Sequence, residues 1–227
     1  MIAVIVPAHN EEALIGACLR SIWSAAACAA LGGEAVKVFV ALDRCQDSTA
    51  RIAASLGAEL VAGDGNVGHA RAAAARAAIG AGARWIASTD ADSQVPPDWI
   101  YGQLACAADA FCGIVGVQDW EDYAPHVQVA FDAGGLPGEA HPHVHGANLG
   151  VDSKWYLRCG GFPSLPAHED VALVKALVTA GARIARLPQP MVITSARRDP
   201  RARHGFGDYL RRLESVADRG DELVPAA

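Results

Sequence analysis

The 227-residue chain lacks an uncharged apolar run long enough to cross a bilayer. Its longest candidate, "SIWSAAACAALGG" between Arg20 and Glu34, falls short of the ~18 residues a spanning helix needs. It also lacks a basic run that would track a phosphate backbone, and its formal net charge is -6. Nucleic acid is therefore not an expected partner. None of the 6 cysteines stands in a CxxC pair, which counts against a thiolate zinc site. No basic leader precedes "MIAVIVPAHNEE". Reduced, core-packed cysteines in a cytoplasmic protein are the expectation. The first apolar run is not followed by GxGxxG, which excludes a dinucleotide-dependent dehydrogenase. It is not followed by a Gly-rich loop with a basic residue either, which counts against a nucleotidyltransferase.

What is present is a 52% hydrophobic chain, enough for one substantial core. "IAVIVP" reads as a buried strand, and "NEEALIGACLRSIWSAA" as a helix with Asn10 as a candidate cap. "AVKVFVALD" is the next strand, and "DSTARIAASLG" a short helix capped by Asp47 or Ser48. "AELVAG", the Ala-rich "NVGHARAAAARAAIGAG" and "ARWIASTDAD" continue the alternation as strand, helix and strand. Alternation with short connections predicts a mostly parallel sheet flanked by helices on both faces. Ligands of such sheets sit at the carboxyl ends of the strands, where strand order reverses. Those ends carry "PAHNEE", "LDRCQD" and "TDAD". Further along, a helix over "PDWIYGQLACAADA" and a strand over "CGIVGVQ" are expected. Residues 119–146, rich in Gly, Pro, His and acids, read as an irregular, mobile cover for the site. Strand, short helix and turn are expected over "ANLGVDSKWYLRCGGFP", a helix over "HEDVALVKALVTAG", a strand pair over "ARIARLPQPMVITSAR" and a final helix over "GDYLRRLESVADRG".

Asp90 and Asp92 raise the central chemical question. In an extended segment, residues i and i+2 point to one side. Two carboxylates on one side repel unless a cation or hydrogen bonds join them. Oxygen ligands suit Mg²⁺ or Mn²⁺. A bare DxD is a common turn feature; its place at a strand end in this α/β pattern favours the metal reading.

The segments "VIVPAHNEE", "ALDRCQDST", "NVGHARAAA", "TDAD", "GANLGVDSKWYLRCGGFP" and "HED" together resemble the family 2 nucleotide-sugar glycosyltransferases, and they occur in that family's order. The resemblance implies a GT-A fold. It implies a single domain over residues 1–227, with a Rossmann-like nucleotide-sugar half at 1–98 and a smaller acceptor and catalytic half at 99–227. It implies a metal-dependent enzyme that moves one sugar from a UDP- or GDP-sugar to a hydroxyl of a small molecule or glycan. Pro7, Ala8, His9 and Glu11 would lie against base and ribose, and Asp43 would hydrogen-bond the base. Arg71 would meet phosphate or sugar. Asp90 and the adjoining Ala91 would touch the ribose or the metal's water shell, and Asp92 would bind Mn²⁺ or Mg²⁺. His204 is a candidate third metal ligand, evenly balanced against a surface histidine in a basic loop. Asp170 is the candidate general base, with Glu169 second, and base-assisted attack would invert the anomeric centre. In isolation, both acids would simply favour a helix N-terminus.

On the acceptor side the expected residues are Asn148, His168, Trp120 and His145. "HPHVHG" puts His141, His143 and His145 on one face if extended; a polar loop lining the acceptor cleft is preferred there to a metal site. Trp99, Trp120 and Trp155 would stack on sugar rings or pack. Arg197, Arg198, Arg201 and Arg203 suggest an anionic partner, or else a solvated basic loop. Ala72 stands where the family often has Asn, which weakens the Arg71 assignment. The QxxRW motif of processive synthases is missing, so a single transfer is expected. The short acceptor platform leaves room for a second copy to complete it. A nucleotidyltransferase and an inactive sugar-nucleotide-binding protein remain as alternatives.

Overall fold

The computed structural model describes residues 1–63, 65–133, 141–199 and 205–217. The first half alternates as expected: β1 (Ile2–Ala8), α1 (Ile15–Ala26), β2 (Val36–Leu42), α2 (Thr49–Ser55), β3 (Glu59–Ala62), α3 (Val67–Gly80) and β4 (Trp85–Ser88). The second half adds β5 (Ser93–Gln94), α4 (Trp99–Ala105), β6 (Ala110–Val117), α5 (Pro125–Ala133), β7 (Leu149–Asp152), α6 (Ser153–Arg158), α7 (Glu169–Thr179), β8 (Ile184–Thr194) and α8 (Phe206–Ala217).

One 8-stranded sheet has the order β3-β2-β1-β4-β7-β6-β8-β5. The β3-β2-β1-β4 stretch is parallel throughout. Strand β7 then runs antiparallel to both β4 and β6, and β8 is again parallel to β6. The chain leaves β1 for β2 and β3 on one side, then returns to place β4 on the other. The strand order therefore reverses at β1, and the loops after Ala8 and Ser88 meet at that switch point.

β1 shows why its sequence is uninterruptedly apolar. Ile2, Val4, Val6 and Ala8 face one buried cluster with Ile15, Leu19 and Ile22 of α1. Ala3 and Ile5 face the other, with Ala70, Ala74 and Ala78 of α3 and with Leu173 and Leu177 of α7. Alternate residues point to opposite faces, and both faces are covered. The alanine stripe of α3 has no bulk to hold it off, so the helix lies close to the sheet and sets its N-terminal turn near the switch point. Asn66 caps that turn by accepting the His69 N–H at 2.9 Å.

Four expectations change. Asn10 is not a helix cap: α1 starts at Ile15, and Asn10 adopts φ 52° while its Oδ1 accepts the Gln46 N–H at 2.8 Å. The strand into "STDAD" stops at Ser88, because the Ser93 N–H turns back to the Asp90 carbonyl at 3.0 Å. The two aspartates therefore lie in a turn and not on an alternating strand. Within the supposedly irregular 119–146 segment, residues 125–133 form helix α5, which packs on α8 through Val127, Leu210 and Leu213. The expected strand pair at 182–197 is the single strand β8, whose register to β6 shifts between Gly113 and Val115.

Candidate active site

The loops after β1 and β2 are tied to each other. The Glu12 N–H donates to Asp47 at 3.0 Å, and the Ser48 N–H donates to Glu12 at 2.9 Å. Asp47 also accepts the Thr49 N–H at 2.9 Å, doing for α2 what a cap does. These two strand-end acids thus build the loop walls. His9 Nδ1 lies 2.5 Å from the Asp43 carbonyl oxygen, and Asp43 Oδ1 accepts the Gly65 N–H at 3.0 Å. Pro7, Ala8, His9 and Asp43 are therefore brought together at one strand-end corner.

Arg71 is the centre of the site. Its side chain is 4% exposed and enters from α3 beneath the sheet's edge of loops. One guanidinium nitrogen binds Glu169, another binds Asp90, and Nε donates to Ser88 Oγ at 3.3 Å. Gly146 lies directly against it: a Cβ there would fall 2.5 Å from Arg71 Cζ. Arg71 is the residue expected to meet phosphate or sugar. It is a buried strut that joins the "TDAD" turn to the N-terminus of α7. Glu169, 3% exposed, is the other end of the strut.

Asp170, one residue on, is half-buried. Its Oδ2 accepts the Gly146 N–H at 2.6 Å and its Oδ1 the Val171 N–H at 2.8 Å. These two amides fix the direction of the carboxylate. His168, just before, is exposed with φ 62°.

Asp92 belongs to a second cluster. Its Oδ2 is 2.9 Å from Arg197 Nη2, and the same guanidinium holds both oxygens of Glu11, at 2.8 and 2.7 Å. Glu11, expected against the nucleotide, is 5% exposed and engaged by this arginine. Burial pushes the Asp92 carboxyl up to about 6, against the pull of Arg197 and with the push of Asp90 and Glu11. Ala91 is buried between the two aspartates. Neither arginine pairing has a local sequence signal; Glu11 and Arg197 are 186 positions apart. Ser88 and Gly146 also escaped sequence reasoning, and only their contacts with Arg71 reveal them.

On the acceptor side the outcome is mixed. Asn148 is a core residue, 0% exposed. Its Oδ1 accepts Trp99 Nε1–H at 2.9 Å, and its amide donates to the carbonyls of Ile114 and Pro190 at 2.8 and 2.9 Å. Both amide hydrogens are thereby used, and one lone pair of Oδ1 remains in a fully buried position. Trp99 is buried with it. Trp120 packs edge-on to Tyr123 and Phe131, and Trp155 lies under Arg158. His141, His143 and His145 do share a face, their rings stacked at 5.8 Å intervals. Among the described residues no three His, Cys, Asp or Glu side chains are grouped to cage a metal. His145 instead meets Phe206 edge-on. Arg198 is bound by Asp122 and Glu214 and stacks over Tyr123, so it fastens α8 to the loop before α5. His204, Arg201 and Arg203 lie outside the described residues.

Burial pushes the His145 imidazole down to about 4, helped by His143 and His141 and opposed by Asp170. A folded-state value below the ordinary 6.5 means the unfolded chain takes up the proton first. The associated stability is present above pH 6.5 and is lost as pH falls towards 4. Over that window the native protein is expected to lose up to about 3 kcal/mol more than a His145→Gln variant. Urea melts at pH 7 and pH 4.5 measure the difference; equal losses in both proteins would contradict it.

With this geometry described, the chain can be set beside known proteins. It belongs to glycosyl transferase family 2, whose family model matches residues 3–129. No curated protein sequence matches it significantly. Among solved structures it resembles the mannosyltransferase PcManGT of Pyrobaculum calidifontis, in complex with GDP-Man and Mn²⁺ (TM-score 0.65, 20% identity, 99% of this chain and 65% of that one). It also resembles residues 1–349 of Staphylococcus aureus TarS in complex with UDP-GlcNAc (TM-score 0.63, 16% identity, 99% and 68% covered). A third is glucosyl-3-phosphoglycerate synthase of Mycobacterium tuberculosis with Mn²⁺, UDP and glucosyl-3-phosphoglycerate (TM-score 0.60, 16% identity, 98% and 81% covered). The fold is thus the GT-A type. The chain spans 65% of the length of the Pyrobaculum enzyme. No helix among the described residues is long and apolar enough to cross a membrane.

Proposed function

We propose that the chain is a metal-dependent glycosyltransferase that moves one sugar from a UDP- or GDP-sugar to a hydroxyl acceptor, with inversion. The observation that carries this reading is the Arg71 strut. It bonds Asp90, in the turn at the switch point, and Glu169, the neighbour of Asp170. A donor-side carboxylate turn and a candidate base are thereby locked into one rigid unit.

The residues fit a divalent cation. Asp92 is a buried carboxyl pushed up to about 6 in the company of Asp90 and Glu11, so added positive charge there relieves repulsion. Its donors are hard oxygens, which suit Mn²⁺ or Mg²⁺. Asp92 and Asp90 would hold the ion, with donor oxygens completing its shell. When bound, the metal stabilises charge on the departing diphosphate as a Lewis acid. The chain's own residues do the rest. The wall of Pro7, Ala8, His9 and Asp43 receives the base. Gly146 and Val171 amides aim the Asp170 carboxylate, which takes the proton of the attacking hydroxyl. The three solved relatives carry a nucleotide or nucleotide sugar, two of them with Mn²⁺, which supports the same assignment here. The 6 free cysteines support a reducing, cytoplasmic setting.

A panel of UDP- and GDP-sugars, incubated with Mn²⁺ and simple hydroxylated acceptors, tests the reaction. Free diphosphonucleoside should accumulate from one nucleotide class and stop on adding EDTA. Consumption of no donor, with either metal, would contradict the proposal.

A further inference from the structure

Among the described residues Arg197 is the one cation in contact with Asp92, and it is held unequally. Glu11 takes the guanidinium through both nitrogens, at 2.8 and 2.7 Å, in the fork geometry that makes arginine–carboxylate pairs strong. Asp92 shares only Nη2, at 2.9 Å. All three side chains are largely buried, at 20%, 6% and 15% exposure. Arg197 lies just beyond β8, so its backbone comes from the far half of the molecule, whereas Glu11 and Asp92 follow β1 and β4.

We propose that Arg197 is an internal counter-cation that competes with the divalent metal for Asp92 in the donor-free enzyme and passes to the donor's diphosphate when donor and metal bind. The inference rests on the glycosyltransferase reading above. Asp92 Oδ2 cannot serve a guanidinium and a divalent ion together without placing two cations on one oxygen. The Asp92 contact is the weaker of the two. Arg197 can therefore give it up while Glu11 keeps the guanidinium at the site. A diphosphate brings enough negative charge to accept both cations, and arginine is well matched to phosphate oxygens. Metal alone must draw Asp92 away from Arg197 with only Glu11 left to hold the guanidinium. Metal and nucleotide together leave it the diphosphate as well. The two ligands should consequently bind with positive coupling, and linkage requires each to help the other equally. Arg197 is thus a positioning residue that makes loading of the metal depend on the nucleotide.

The test uses the full chain and no turnover. Free Mn²⁺ is followed by electron paramagnetic resonance during titration, alone and with saturating UDP or GDP, and nucleotide affinity without metal is measured by calorimetry. In Arg197→Met, Mn²⁺ alone should bind more tightly, on the order of tenfold, and most of the metal–nucleotide coupling should vanish. Nucleotide without metal should bind more weakly. Because that variant strands two buried carboxylates, Arg197→Gln/Glu11→Gln is compared with Glu11→Gln in the same way, and the same tightening of Mn²⁺ is expected. Unchanged or weakened Mn²⁺ binding in both comparisons, with coupling intact, would overturn the proposal and leave Arg197 as a loop staple. If the wild-type chain binds neither Mn²⁺ nor either nucleotide, the glycosyltransferase reading fails, and this inference with it.

Discussion

Asp170→Asn should lower sugar transfer by roughly 10²–10⁴-fold, the usual contribution of a positioned general base, with donor affinity little changed. The asparagine is nearly isosteric, and its carbonyl oxygen can still accept the Gly146 or Val171 N–H that the carboxylate accepts now. What it loses is the capacity to take a proton. If Asp170 merely complemented the N-terminus of α7, the substitution would cost about 0.3–1 kcal/mol of stability and leave kcat alone. Single-turnover transfer with a saturating donor separates the two. Glu169→Gln provides the contrast. Glu169 is bonded to Arg71 and buried, so its effect should appear in stability and not as a selective loss of the chemical step. A kcat for Asp170→Asn within threefold of wild type would remove Asp170 from the mechanism.

Arg71→Met should be the most destabilising single change at the site, by about 3–5 kcal/mol. The reason is the partner left behind. Glu169 is 3% exposed and would be left buried without its guanidinium, whereas Asp90, at 36%, can turn to water. In a protein of this size a loss of that kind lowers Tm by roughly 10 °C. Adding Glu169→Met removes the stranded carboxyl, so Arg71→Met/Glu169→Met should recover most of the loss. Gly146→Ala should act through the same strut, since its Cβ would lie 2.5 Å from Arg71 Cζ. Urea melts of the single and double variants test this. A single variant as stable as wild type, or a double variant no better than the single one, would show that the strut bears little of the fold's stability.

These two residues also indicate what sequence can and cannot reveal. Asp170 is a candidate through the family resemblance, since acids at the start of an apolar helix point by themselves only to its N-terminus, and helix α7 forms where the apolar spacing requires. β1 was legible for a similar reason: a short apolar run with both faces buried admits few alternatives. The partners of Arg71 and Asn148 are not legible in sequence, because a polar residue inside a motif looks the same whether it faces a ligand or the core. Only the partners decide it, and those of Asn148 come from α4, β6 and β8. Strand alternation does not apply to the aspartate pair, which lies in a turn past the end of β4. Helix α5 was missed because its apolar face is completed only by α8, far along the chain. The Arg197 contacts were beyond reach, since a basic loop gives no indication of which acids it will meet.

Calorimetry of UDP and GDP binding, with and without Mn²⁺, on wild type and Asp92→Ala, tests the central claim most directly. The account predicts tight binding of one nucleotide that depends on Mn²⁺ and is lost in the variant. Binding of neither nucleotide under any metal, or binding that Asp92→Ala leaves intact, would contradict it.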